Sequence, residues 1–282
     1  MPVNSQIGEL SITSLNSGSN GNCYYISNEE EAVLIDVGIS CRELTKRLTR
    51  LDLSPDKIKA IFISHEHVDH IRGVKVVSEK YRLPVYITKE TLKSSSLQLE
   101  QSLVKTFKAD AVVKIGGLSV TAFSKIHDAA DPCSFMVKGN GIKIAIITDI
   151  GIACKQVIGH FKQCHAAFLE ANYDEDMLEN GNYPIYLKNR IRDGNGHLSN
   201  NQALDLFKKY RPEHMSHLIL SHLSKNNNSP ELVYKVFKPH ADQTQIIVAS
   251  RYEETPVFHI GKNKQKPTKN KTLNAAKQLS LF

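Results

Sequence analysis

The chain has 282 residues, 41% of them hydrophobic, enough for one large or two small domains, and no apolar run approaches the roughly 20 residues of a membrane helix. Its five cysteines (Cys23, Cys41, Cys133, Cys154, Cys164) are odd in number and never paired as C-x-x-C, and its opening residues lack the basic and apolar regions of an export signal. This predicts free thiols in a cytoplasmic protein. The formal charge of +7 resides mostly in six lysines after Ile260, where there are no acids; subtracting these six leaves +1, so global charge argues little for nucleic acid.

Short apolar runs alternate with helical patterns. "GELSITSLNS", "NCYYISN" and "EAVLIDVG" predict strands, with "SGSNGN" (17–22) as a turn whose backbone N–H groups could also face a phosphate. "SCRELTKRLTRLD" has helical spacing with Ser40 as N-cap. "IKAIFIS" predicts a buried strand, "IRGVKVVSEKYR" a helix and "PVYIT" another strand. Further along, "AVVKI", "LSVTAFSKI", "CSFMVK", "IKIAIITD", "HAAFLEA", "HLILSH" and "TQIIVAS" predict strands. Helices fit 155–164, 201–210 and 230–237, the last capped by Ser229 with Pro230 at its first position. No internal repeat is visible. The mixture predicts one layered α/β domain over 1–260, followed by a linker at 261–277 and a short peptide at 278–282.

The chemistry lies in "FISHEHVDHIRG". His65, His67, Asp69 and His70 form H-x-H-x-D-H directly after a buried strand, and imidazole and carboxylate suit zinc or manganese first, iron or nickel next. One loop cannot complete two coordination spheres. His127, Asp149 and His222 each follow an apolar strand and are the candidates to complete them. Any one alone could be a turn or capping residue. Asp36, after "EAVLI", either orients a ligand or accepts backbone N–H groups in a turn. Cys133 is expected to pack in the core and Glu66 to face solvent.

Asp36, the 65–70 cluster, His127, Asp149 and His222, in this order, resemble the five motifs of the metallo-β-lactamase-fold hydrolases. The resemblance implies a four-layer αββα sandwich with two divalent metal ions. His65, His67 and His127 would hold one, and Asp69, His70 and His222 the other, with Asp149 bridging. "SGSNGNCYYI", "SHEHVDHIRGV", "HDAADP", "TDIG", "LEANYDEDML", "YPIYLKNRIRDGNGHLSN" and "LSHLSKNNNSP" together resemble the YycJ/WalJ branch over about residues 8 to 260. That implies a bacterial, metal-dependent DNA exonuclease of 5′-to-3′ polarity.

Three residues at a spacing of two, Lys188, Arg190 and Arg192, would share one face of an extended segment and could track a phosphate backbone. His197, flanked by glycine, is the candidate to protonate the departing 3′ oxygen, and catalysis is expected to depend on it and on Asp69. Alternatives are an RNA-processing nuclease and a non-catalytic adaptor. Only about 70 residues separate Asp149 from His222, too few for the inserted domain of an RNase J type.

The lysine-rich 261–277 stretch lacks periodicity and is expected to be disordered. The "QLSLF" that follows resembles the pentapeptide by which bacterial replication proteins bind the β sliding clamp. Gln278 would fill a polar subsite, Leu279 would belong to the motif, and Leu281 and Phe282 would enter an apolar pocket.

Overall fold

The computed structural model describes residues 8–261. The expected linker after Gly261 and the clamp-like peptide at 278–282 (Gln278, Leu279, Leu281, Phe282) lie outside the described residues.

Two seven-stranded sheets face each other. The first comprises β1 (Leu10–Asn16), β2 (Cys23–Ser27), β3 (Ala32–Ile35), β4 (Ile58–Phe62), β5 (Val85–Thr88) and β6 (Val104–Phe107), with β14 (Phe258–Ile260) beside β1. The second comprises β7 (Val112–Ile115), β8 (Leu118–Ser124), β9 (Cys133–Gly139), β10 (Ile142–Ile147), β11 (Ala166–Glu170), β12 (His217–Ser221) and β13 (Gln245–Val248), in that order across the sheet. Both sheets follow one plan. β14-β1-β2-β3 are antiparallel and β3-β4-β5-β6 parallel; β7-β8-β9-β10 are antiparallel and β10-β11-β12-β13 parallel. The sheets are thus a structural repeat.

Strand alternation builds the layers. On β10, Ile142, Ile144 and Ile146 point into the core between the sheets, whereas Ala145 and Ile147 point to the outer face. On β11, Ala166 and Phe168 face inward, and Ala167 and Leu169 outward. The helices are α1 (Cys41–Arg50), α2 (Val68–Ile71), α3 (Val74–Tyr81), α4 (Lys89–Ser94), α5 (Lys155–Phe161), α6 (Glu175–Asn180), α7 (Ile185–Arg192), α8 (Asn200–Tyr210) and α9 (Pro230–Phe237). Leu44 and Leu48 of α1 and Val74 and Val77 of α3 cover the first sheet. Val157 and Phe161 of α5, Leu206 and Phe207 of α8, and Val233 and Phe237 of α9 cover the second. The result is the expected αββα sandwich.

Helix starts follow their caps. Ser40 accepts from Glu43 N at 3.2 Å, Ser199 and Gln202 form a reciprocal capping box, and Ser229 precedes Pro230. The "IRGVKVVSEKYR" helix divides after Ile71, where Gly73 N–H turns to Val37 O at 2.8 Å. One expectation is corrected. Residues 185–192 are helical, not extended, with Leu187 and Ile191 one turn apart. A spacing of two on a helix points side chains to opposite sides. Lys188 and Arg192 therefore both reach Glu179, while Arg190 reaches Asp128 on the other side. The three cations do not form one face.

Candidate metal centre

Parallel strands deliver the site. Asp36 follows β3, the 65–70 loop follows β4, Asp149 follows β10, Glu170 ends β11 and His222 follows β12, so five strand ends meet at one rim. Asp36, Asp149 and His222 have left-handed backbones, with φ of 59°, 55° and 57°. That conformation costs non-glycine residues roughly 1–2 kcal/mol each, and it turns the chain sharply enough to return the side chain over the sheet edge. Gly38 makes this close assembly feasible: a Cβ there would lie 1.7 Å from Asp69 O and 2.6 Å from Asn22 N.

The side chains converge as two overlapping sets. The rings of His65, His67 and His127 surround one point, with centroids 4.6, 4.9 and 5.1 Å apart, and His65 Nε2 lies 3.1 Å from His67 Nδ1. Asp69 Oδ2 lies 3.5 Å from both His70 Nε2 and His222 Nε2. Asp149 stands between the sets: Oδ2 is 3.3 Å from His70 Nε2 and Oδ1 is 3.4 Å from His222 Nδ1. Within each of the groups His65/His67/His127, His65/His70/Asp149 and Asp69/His70/His222, one ligand atom per residue lies within 4.8 Å of the others.

Most of these rings have one nitrogen tied outward, which leaves the other for the centre. His70 Nδ1 donates to Asp36 Oδ2 at 2.7 Å. His65 Nδ1 contacts Ser64 Oγ at 2.8 Å, which itself donates to Asp36 Oδ2 at 2.7 Å. His127 Nδ1 donates to Gly196 O at 3.0 Å, and His222 Nδ1 to Glu170 Oε1 at 3.0 Å. The inward atoms His127 Nε2, His222 Nε2 and Asp149 Oδ2 are buried without a hydrogen-bond partner. Buried polar atoms are rarely left so. Outer nitrogens tied to the protein, with inner atoms of His127, His222 and Asp149 left unpartnered, are what a divalent cation requires of its ligands, and the residues fit one.

The electrostatics divide along the same line. Burial pushes His65 well below the usual imidazole range and His127 down to about 4, so both stay neutral, as ligands must be. Burial opposes charge on His70 and His222 as well, but there the carboxylates win. Asp149, Asp36 and Asp69 raise His70 to about 10, and Asp149, Asp69 and Glu170 raise His222 well above its ordinary value. Burial would raise Glu170, yet His197 and His222 hold it near 2; His222 and His70 likewise hold Asp149 well below the carboxylate range.

The groups around the centre also acquire definite places. Asp36 does both things considered for it: it accepts Ser64 N–H at 2.8 Å and orients His70. The 17–22 turn is part of the site wall. Ser17 Oγ accepts His222 N–H at 2.8 Å, and Asn22 Nδ2 donates to Asp69 Oδ2 at 3.1 Å. Glu66 does not simply face solvent, since Oε1 accepts Ala130 N–H at 2.8 Å. Cys133 is fully buried in the core between the sheets. His197 lines the same pocket, its Nδ1 donating to Glu170 Oε1 at 2.8 Å. Glu170 was missed from sequence. Its one oxygen orients both His197 and His222, and its signal was a carboxylate closing a five-residue, fully buried strand.

The model of the β-lactamase superfamily domain matches residues 31–222, from the start of β3 to His222 itself. The chain belongs to the metallo-β-lactamase superfamily. This superfamily member is 33% identical to exodeoxyribonuclease YycJ of Bacillus anthracis over 79% of its own length and 86% of that protein. It is 30% identical to exodeoxyribonuclease WalJ of Streptococcus pneumoniae over 78% and 84%. In fold it resembles the metallo-β-lactamase-fold protein YhfI of Bacillus subtilis, with a TM-score of 0.68 and 15% identity over 89% of this chain and 99% of that one. Superfamily membership together with these two relatives, both named exodeoxyribonucleases and matched over most of their length, makes the chain a metal-dependent hydrolase, and its His/Asp cluster is able to hold divalent ions. Among the described residues no helix is long and apolar enough to cross a membrane.

Proposed function

We propose that this hydrolase is a binuclear phosphodiesterase acting on DNA, an exonuclease of 5′-to-3′ polarity in repair or replication. The observation that carries the reading is the joint one: two overlapping ligand sets meet in one pocket, on a chain 33% identical to a protein named exodeoxyribonuclease. His65, His67 and His127 would hold one ion, Asp69, His70 and His222 the other, and Asp149 both. Divalent ions bound there supply Lewis acidity and lower the pKa of water towards roughly 7. The chain's own residues do the rest. Asp36, Ser64 and Glu170 fix ring orientation. His197, held at Nδ1 by Glu170, presents Nε2 to the pocket, where it delivers a proton to the leaving 3′ oxygen.

The test is an assay on end-labelled single- and double-stranded DNA and on RNA, comparing manganese, magnesium and zinc. Stepwise release of nucleotides from DNA 5′ ends is expected. Cleavage of RNA alone would support the RNA-processing reading. Absence of cleavage by fully metal-loaded protein would support the adaptor. For the sequence at 278–282 we propose clamp binding. Deleting those residues should abolish binding to purified β sliding clamp in a titration, and equal affinity with and without them would refute it.

A further inference from the structure

The phosphate-tracking cations expected on 188–192 are largely spent on the protein itself. Arg190 grips Asp128 through Nε at 2.7 Å and Nη2 at 2.6 Å, and Arg192 bonds Glu179 at 2.7 Å. A guanidinium already neutralised by a carboxylate offers little to a phosphate. On the opposite rim the situation is reversed. Arg72 and Arg251 flank the 17–22 turn, and among the described residues neither has a carboxylate partner. Arg72, exposed, donates only to Asn20 O at 3.2 Å. Arg251 Nη2 reaches Ser19 Oγ at 3.5 Å, and its Nη1 is buried with no partner at all. An N–H withdrawn from water without a partner is destabilising until something accepts from it.

Resting on the phosphodiesterase reading, we propose that Arg72, Arg251 and the Ser19–Asn20 tip of this turn bind the backbone phosphate of the DNA strand next to the scissile one. Three observations converge. Among the described residues the backbone N–H groups of Ser19 and Asn20 make no intramolecular hydrogen bond, although Gly18, Gly21 and Asn22 N–H are all engaged. Ser19 lines the same pocket as His222 and His197. The inner side of the turn is bonded to the metal centre, through Ser17 to His222 N and through Asn22 to Asp69, so an anion on its outer side is held in register with the chemistry. Forked guanidinium and free backbone N–H groups together match tetrahedral phosphate oxygens. Tyr252, 62% exposed and with the Arg251 guanidinium 6.0 Å from its ring centroid, extends this rim with an aromatic side chain that a base can stack against.

The experiment measures equilibrium binding of a fluorescent single-stranded oligonucleotide across a salt series, with steady-state kinetics on the same strand. It compares the wild type with R72Q, R251Q, R251K, the double glutamine variant and K114Q on distant β7. Removing both arginines should reduce the magnitude of the slope of log K against log salt by about 0.7, the contribution of one phosphate, and each single glutamine variant should weaken binding about tenfold. The kinetic effect should fall in KM rather than kcat, R251K should recover part of it, and K114Q should match the wild type. A double variant with wild-type slope and affinity would overturn the proposal. So would a loss confined to kcat. R72Q alone suffices if Arg251 proves necessary for folding, because Arg72 is exposed. Hydrolysis of bis(4-nitrophenyl) phosphate by the wild type tests the phosphodiesterase reading separately, since that substrate has no neighbouring phosphate.

Discussion

Asp69→Ala should reduce hydrolysis of a labelled oligonucleotide to background while leaving the thermal transition within about 4 °C of wild type, the size of a 1 kcal/mol change in a domain of this length. The two effects separate because Asp69 serves the fold and the centre with different atoms. Its carbonyl accepts Asn22 N–H at 2.7 Å, a bond alanine keeps. Its carboxylate faces His70 and His222 at 3.5 Å and is partly exposed; removing it leaves His70 facing Asp149 and Asn22 Nδ2 beside His70 Nε2, so His222 Nε2 is the main buried group to lose its neighbour. One of two ions per chain should be lost by elemental analysis. Turnover retained in this variant would defeat the two-ion mechanism. Asp36 would be a poorer probe, because it is fully buried and its carboxylate accepts from Ser64 N, Ser64 Oγ and His70. Its loss would disturb fold and site together.

His197→Ala should slow turnover on DNA by about 10²–10⁴-fold, the usual contribution of a positioned acid, with metal content unchanged. The side chain is held from two directions. Its Nδ1 is fixed to Glu170, and its backbone N–H donates to Ile191 O at 2.8 Å. Gly196 brings the loop this close, since a Cβ there would lie 2.2 Å from Arg190 O. A proton donor matters most when the leaving group is a poor one. The variant should therefore be far less impaired on a 4-nitrophenyl ester of thymidine 5′-phosphate, whose leaving group needs no proton. Equal losses on both substrates would make His197 a phosphate-holding group. Because His197 also lies within 4.8 Å of Asp149, Glu170 and His222 ligand atoms, loss of an ion in the variant would make it a ligand. A near-wild-type rate on DNA would leave it only a structural role.

What the sequence determined by itself was whatever depends on periodicity and on residue type after a strand. Buried strands such as "IKAIFIS" and "IKIAIITD" read correctly because a fully apolar run bounded by polar residues has few other uses. The caps at Ser40 and Ser229 read correctly because capping is local chemistry. The same locality explains why polar residues just after apolar strands, from Asp36 to His222, could be picked out one at a time. Residues 185–192 misled because alternating cations suggest a strand, whereas Leu187 and Ile191, one helical turn apart, carried the deciding signal. The tertiary structure alone decided the rest. The repeat between the sheets lies in hydrogen-bonding order, which asks only for alternating apolar residues and leaves their identities free. Glu170 became significant only when His197 and His222 arrived from 27 and 52 residues away to share one oxygen. Whether a cation is available to a ligand depends on which carboxylate stands opposite it, and that is a property of packing rather than of spacing. Arg190 and Arg192 are therefore engaged by acids from other elements, while Arg72 and Arg251, unremarked in the sequence, stand without them beside the metal pocket.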